Sequence, residues 1–210
     1  MRTQLIILSF FCAVSSAKAD NAVLEAWLKK QPSILTLDAT FIQERRLPAL
    51  KNPISTRGRL IFKKPDQFCW QLGEPAETLA ISDGTTLTLI QTKEKSAYQF
   101  SADSPKAAQF SLLSGKAFES GESFNQAFEV IDSRVVSGIH QYTLKPKERK
   151  LRKQVPWIFL DIEPTQNSLT AMELELQDKS RIRNIFQNLR INKEVDAAVF
   201  KPNFSELTIK

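Results

Sequence analysis

Apolar and polar positions alternate along this chain with two different periods. Between residues 21 and 31, NAVLEAWLKKQ, Val23, Leu24, Trp27 and Leu28 recur on one side of a helix. Asp20 or Asn21 is placed to cap it, and Pro32 to stop it. The period then drops to two. Leu35, Leu37, Ala39, Phe41 and Gln43 share one face of a strand, and Thr36, Asp38 and Thr40 share the other. Pro48 and Asn52-Pro53 mark a loop. Further strands are predicted over 56–64, 67–72, 78–82, 85–91 and 97–100, with Asp83-Gly84 as the turn of a hairpin.

The middle of the chain changes character. Ser104 as a cap, Pro105 at a first helical position and the apolar Phe110, Leu112 and Leu113 predict one or two short helices across 105–126. Strand signals resume over 128–133, 138–145, 157–163, 169–177 and 181–191. DAAVF, 196–200, predicts a single helical turn before a short C-terminal strand. Most connections are short, so sequence neighbours should pair antiparallel. The expected fold class is α+β: one large curved antiparallel sheet with helices on one face.

The first residues read differently. MRTQ is a short basic stretch, Leu5 to Val14 is an apolar run, and Ala17-Lys18-Ala19 supplies small residues where a signal peptidase reads them. A signal peptide over 1–19, cleaved after Ala19, is therefore expected, leaving residues 20–210 as one exported, periplasmic domain. The apolar run is too short for a spanning helix. Ser9-Phe10-Phe11 lacks the small residues expected before a lipidated cysteine at Cys12. Cleavage lowers the formal charge from +6 to +4 and leaves Cys69 as the one cysteine, so no internal disulfide forms. Fourteen Phe against two Tyr and three Trp favour purely apolar surfaces over polar-tipped aromatic ones.

Catalytic chemistry has few candidates. His140 is the only histidine, in a strand-like context that suits a structural role. GESFN lacks the second glycine of a nucleophile turn. One Cys and one His cannot close a metal site, and no phosphate-cradling glycine loop occurs. Asp161 and Glu163 share a strand face, which a solvated surface explains better than acid–base work. No enzyme, cofactor or nucleic-acid partner is expected. One charged segment stands apart: KPKERKLRK carries Lys145, Lys147, Arg149, Lys150, Arg152 and Lys153 against Glu148 alone. It reads either as a solvated loop between strands or as a contact with anionic lipid or an acidic partner.

RGRLIFKKPDQFCWQLGEP, from Arg57 to Pro75, poses a local problem. Leu60 and Phe62 share a face, and Lys64 ends that face just before Pro65. A buried, unpaired ammonium is costly. Together with Phe41-Ile42-Gln43, the run Gly58-x-Leu60-x-Phe62-x-Lys64-Pro65-Asp66-x-Phe68-x-Trp70, Pro75, Ser82-Asp83-Gly84 and DAAVF, this stretch resembles the periplasmic outer-membrane lipoprotein carrier family, LolA. The similarity spans residues from about 24 to about 200.

The resemblance implies an incomplete antiparallel β-barrel whose open side is closed by helices. It implies a hydrophobic cavity for acyl chains, and no catalysis. Leu60, Phe62, Phe68, Trp70, Leu79, Ile81, Leu87 and Leu89 would line that cavity. Leu24, Trp27, Phe110 and Leu113 would belong to the lid helices. Lys64 stands where the family has a basic residue, usually arginine, that clamps the lid. Lysine offers three donors on a point charge instead of arginine's planar fork of five, which implies a looser clamp. Expected partners are lipoprotein or other lipid cargo, an inner-membrane donor complex and an outer-membrane acceptor, served by a monomer. The alternative is a lipid- or peptide-sensing periplasmic regulator of the same fold. Burying a methylene is worth ~0.8 kcal/mol, so a chain of roughly 15 methylenes costs on the order of 12 kcal/mol to bring into water. Only an apolar enclosure offsets that cost.

Overall fold

The computed structural model describes residues 21–102, 104, 107, 110, 112 and 115–210. The signal-peptide reading, with Cys12 and the cleavage after Ala19, lies outside the described residues. So do Pro105 and Leu113.

Helix α1, Asn21–Lys30, buries Leu24, Trp27 and Leu28, and a 3-10 turn over Gln31–Ser33 continues it past Pro32. Eleven strands follow: β1 Thr36–Arg46, β2 Ile54–Lys63, β3 Gln67–Leu72, β4 Thr78–Ser82, β5 Thr86–Gln91, β6 Ser96–Ser101, β7 Phe128–Val136, β8 Ile139–Pro146, β9 Trp157–Glu163, β10 Ser168–Glu175 and β11 Arg181–Ile191. Between β6 and β7 lie a 3-10 turn, Lys116–Phe118, and helix α2, Gly121–Ala127, capped by Ser120 Oγ accepting from the Ser123 amide. Helix α3, Arg149–Gln154, joins β8 to β9, and β12, Thr208–Ile209, ends the chain.

The strands form one unclosed, curved sheet in the order β12-β6-β5-β4-β3-β2-β1-β11-β10-β9-β8-β7. Every ladder is antiparallel except the short β12–β6 pair. The central β1–β11 ladder joins the two hairpin runs into a single sheet.

The helices, with Ala107, Phe110, Leu112 and Phe118, pack on the inner face, giving two cores. One is built from Phe124 of α2, Phe128 of β7, Tyr142 and Leu144 of β8 and Ile158, Leu160 and Ile162 of β9, with Leu24, Trp27 and Leu28 of α1 and Leu151 of α3 packed in. In the other half, Phe41, Leu60, Phe68, Ala80, Leu87 and Ala107 pack with Trp70, Leu89 and Phe110. Phe186 of β11 touches both. On the outer face, β1, β2, β9, β10 and β11 carry charged pairs instead. Asp38 sits between Arg59, which donates twice at 2.9 Å, and Arg190. Arg183 pairs with Asp161 and Glu173, and Arg181 with Glu173 and Glu175.

The two faces of β4 are the reverse of those expected from alternation. Leu79 and Ile81 stand on the outer face, packed with Cys69, Ile90, Phe204 and Leu207. The β4–β5 turn pairs Ser82 with Leu87 and Ala80 with Leu89. Such a turn couples even positions to odd ones, so the inner face passes from Ala80 and Ser82 to Leu89 and Leu87. The segment 147–154 is likewise no plain loop, because Leu151 is buried and anchors α3.

Candidate functional site

Two backbone irregularities shape the space between the cores. In β1–β11 the register shifts between Asp38 and Thr40, where Asn188 takes φ 51°. The extra residue turns Leu189 and Ile191 to the inner side, while Phe186 keeps its place opposite Phe41. In β9–β10 a second shift, between Leu169 and Ala171, lets both Leu169 and Met172 face inward. Both irregularities lie at the end of the sheet that holds Lys63, Ser82 and Glu163.

The result is an apolar cavity of about 140 Å³ between the sheet and its cover. Its floor is Leu37, Leu60, Phe62, Leu169, Met172, Phe186 and Leu189. Its roof is Trp27 of α1 with Leu112, Gly115 and Phe118. Trp27 and Phe118 meet edge to face, ring centroids 5.5 Å apart, so the two parts of the roof hold each other.

Lys64 stands at the mouth. It follows the last residue of β2, and its amide donates to the Leu35 carbonyl at 2.9 Å. Its Nζ donates to the carbonyls of Pro32 at 2.7 Å and Gln31 at 3.4 Å, at the C-terminal end of the α1 segment. Carbonyls at a helix end lack intrahelical donors and favour a cation. Glu119, on the other part of the cover, lies 4.0 Å from the same Nζ. Lys116 reaches back to Asp66 at 3.1 Å. The turn between β2 and β3 therefore holds both parts of the cover, the α1 end through its carbonyls and the 116–119 part through charge pairs.

The candidate residues separate into groups. Leu60, Phe62, Lys64 and Trp27 border the cavity. Phe68, Trp70, Leu87 and Leu89 share the inner face but belong to a filled core, where Phe41 stacks on Trp70 at 6.0 Å and Phe110 meets Trp70 at 6.5 Å. Leu24 is buried under α1 against the other core. Leu79 and Ile81 lie on the outer face. The basic segment sits at the opposite end of the sheet from the mouth, since Pro146 and Trp157 bracket α3 and pair with Phe128 and Glu175. Within it, Arg152 donates to the carbonyls of Pro146 and Lys147, and Lys147 to that of Asn125.

Sequence reasoning missed Leu169, Met172, Phe186, Leu189 and Phe118. The inward placing of Leu169, Met172 and Leu189 depends on bulges that alternation cannot register. Phe118 had a signal, as the apolar residue next along from the Phe110–Leu113 patch. Among the described residues, no cluster of three or more His, Cys, Asp or Glu could hold a metal ion, and no helix is long and apolar enough to cross a membrane.

Residues 33–203 match the family described as outer membrane lipoprotein carrier protein LolA. An outer-membrane lipoprotein carrier protein of Azotobacter vinelandii is 25% identical over 203 residues, covering 93% of this chain and 91% of that protein. One from Psychromonas ingrahamii is 30% identical over 136 residues, 64% of each chain. Among solved structures, an uncharacterized conserved protein from Thermus thermophilus has the same fold at 6% identity, with a TM-score of 0.52 over 91% of this chain and all of that one.

Proposed function

The chain belongs to the outer membrane lipoprotein carrier family, LolA, and from that premise we propose that it carries lipoproteins through the periplasm with their acyl chains held between the sheet and its cover. It would take cargo from an inner-membrane donor complex and release it to an outer-membrane acceptor, acting as a monomer and without catalysis. The observation that carries this reading is the apolar cavity roofed by Trp27, Leu112 and Phe118 and latched by Lys64. A packed domain would fill such a space with its own side chains.

The cavity also sets the mechanism. Its volume of about 140 Å³ suits a benzene-sized guest. A chain of roughly 15 methylenes is several times larger, yet gains ~0.8 kcal/mol for each methylene enclosed. Cargo therefore has to displace the roof, and the enclosure gained offsets the broken roof contacts. When empty, the roof returns and keeps Leu60, Phe62 and Phe186 from forming an exposed apolar patch. Lys64 contributes a reversible contact: three donors on a flexible stem release a carbonyl more readily than a fixed guanidinium fork.

The test is a binding assay with a triacylated lipopeptide bearing a fluorophore on its peptide part. A soluble one-to-one complex, seen by gel filtration and native mass spectrometry, is the expected result. Failure to solubilise that lipopeptide, or to pass it from inner-membrane to outer-membrane vesicles, would reject the carrier role. Native mass spectrometry of protein purified from an envelope extract separates the regulator alternative, which would bring a stoichiometric protein partner and no acylated cargo.

A further inference from the structure

We propose that the pole of the sheet remote from the cavity mouth is a docking surface for anionic lipid bilayers. Three connections meet there, counted with the strand ends that flank them: residues 45–54 from the end of β1 to the start of β2, 147–154 between β8 and β9, and 176–181 from the end of β10 to the start of β11. Their neighbourhood is fixed by the ladders, because Arg46 lies directly opposite Arg181 and Glu175 opposite Trp157.

These connections hold ten Lys and Arg against two acids, Glu148 and Asp178, a formal excess of eight when the whole chain carries +6. The rest of the protein is slightly negative, so its basic character belongs to this pole. Nine of the ten cations are exposed; Arg152, half-buried, instead ties α3 to the carbonyls of Pro146 and Lys147. Glu173 and Glu175 engage Arg181, and Glu175 also Lys179. Arg45, Lys51, Arg149, Lys150 and Lys153 are exposed within the same three connections. Arg46 and Arg181 stand directly opposite on adjacent strands and each keeps a carboxylate partner, Glu44 at 3.8 Å for Arg46 and Glu173 and Glu175 for Arg181, so the attraction to an anionic surface rests on Lys51 and the cations of 147–153.

Two apolar side chains distinguish a bilayer from an acidic protein as the occupant. Leu50 and Ile54 are each 49% exposed, in the same connection as Arg45, Arg46 and Lys51. Apolar side chains flanked by cations suit the boundary between headgroups and acyl chains. The β3–β4 turn, with Glu74 and Glu77, bounds the patch on one side. The inference is independent of the cargo reading, since it uses no residue of the cavity.

Sedimentation with vesicles tests it. The protein should bind vesicles of phosphatidylcholine with phosphatidylglycerol at least tenfold more than phosphatidylcholine alone, and high salt should remove most of that binding. Neutralising Lys147, Arg149, Lys150 and Lys153 to Gln should weaken binding at least tenfold while circular dichroism stays unchanged. Leu50→Ser with Ile54→Ser should remove the salt-resistant remainder. Neutralising Lys29, Lys63, Lys193 and Lys201, on other surfaces, should leave binding within twofold. Equal loss in that control set, unaltered binding by the α3 set, or no preference for phosphatidylglycerol overturns the proposal. Selective capture of a soluble acidic peptide without vesicle binding overturns it in favour of a protein partner. Lipopeptide binding by the same variants reads the cargo function separately.

Discussion

Lys64 Nζ lies 2.7 Å from the carbonyl oxygen of Pro32, so a side chain at the end of β2 closes the turn that follows α1. A charged donor on a carbonyl is worth about 1.5–3 kcal/mol. Lys64→Ala is expected to raise amide exchange across residues 24–33 roughly tenfold and to increase quenching of Trp27 fluorescence by acrylamide. Lys64→Arg, with more donors, should lower both. Unchanged exchange in the alanine variant would remove Lys64 from the latch.

Leu189 borders the cavity at its mouth and is 37% exposed. Leu189→Trp should occupy the space where cargo begins to enter, with room for the ring to lean outward. Thermal stability should stay within roughly 4 °C of the parent, about 1 kcal/mol, while lipopeptide uptake falls at least tenfold. Normal uptake by the folded variant would place the acyl path elsewhere.

Gly58 is opposite Phe41 on the adjacent strand, and a Cβ there would lie 2.2 Å from the Phe41 ring and 2.6 Å from the Gln71 carbonyl oxygen. The ring stacks on Trp70 and is 2% exposed, so it has little space to retreat. Gly58→Ala should cost about 2–3 kcal/mol by overpacking, measured as a lower midpoint in urea. An unchanged midpoint would mean that the β1–β2 ladder relaxes freely.

On the outer face, the Arg59 guanidinium holds the Asp38 carboxyl below its usual range, with Arg190 adding to the effect against the opposing influence of burial. A depressed folded value gives stability that is present above the unfolded value of about 3.9 and lost as pH falls through the folded one. Asp38→Asn is thus expected to cost on the order of 1–2 kcal/mol at neutral pH, since both arginines keep access to water. The gap between variant and parent should narrow below about pH 4. A gap constant with pH would show that the cost is packing alone.

Cys69 packs on the outer face with Ile81 and Leu79 beneath the C-terminal segment, and burial pushes its thiol up. Slow reaction with a disulfide reagent at pH 8 is expected, accelerated several-fold when Phe204 and Leu207 are replaced by Ser. Equal rates would mean that those side chains do not shield the thiol.

Much of the strand pattern was legible because alternation is local. β3, β4, β9 and β11 run over the residues that the period-two signal marks: Gln67–Leu72, Thr78–Ser82, Trp157–Glu163 and Arg181–Ile191. The face of β4 was not, since parity must be carried across a turn, and Leu79 and Ile81 were assigned to the wrong side. The β1–β11 pairing joins residues about 150 positions apart, and no local signal reports it. Four of the seven floor residues come from that distant partner and its neighbour β10. Helix α3 escaped because a six-residue helix with one buried side chain, Leu151, has no period to detect.

The two ends of the sheet are separated by the full run of β1, whose 11 residues span ~30 Å. A molecule resting upright on its cationic foot would thus hold its opening far above the leaflet. Lipid tails could not slide straight from the bilayer into it. They would have to be lifted by a machine tall enough to reach that height.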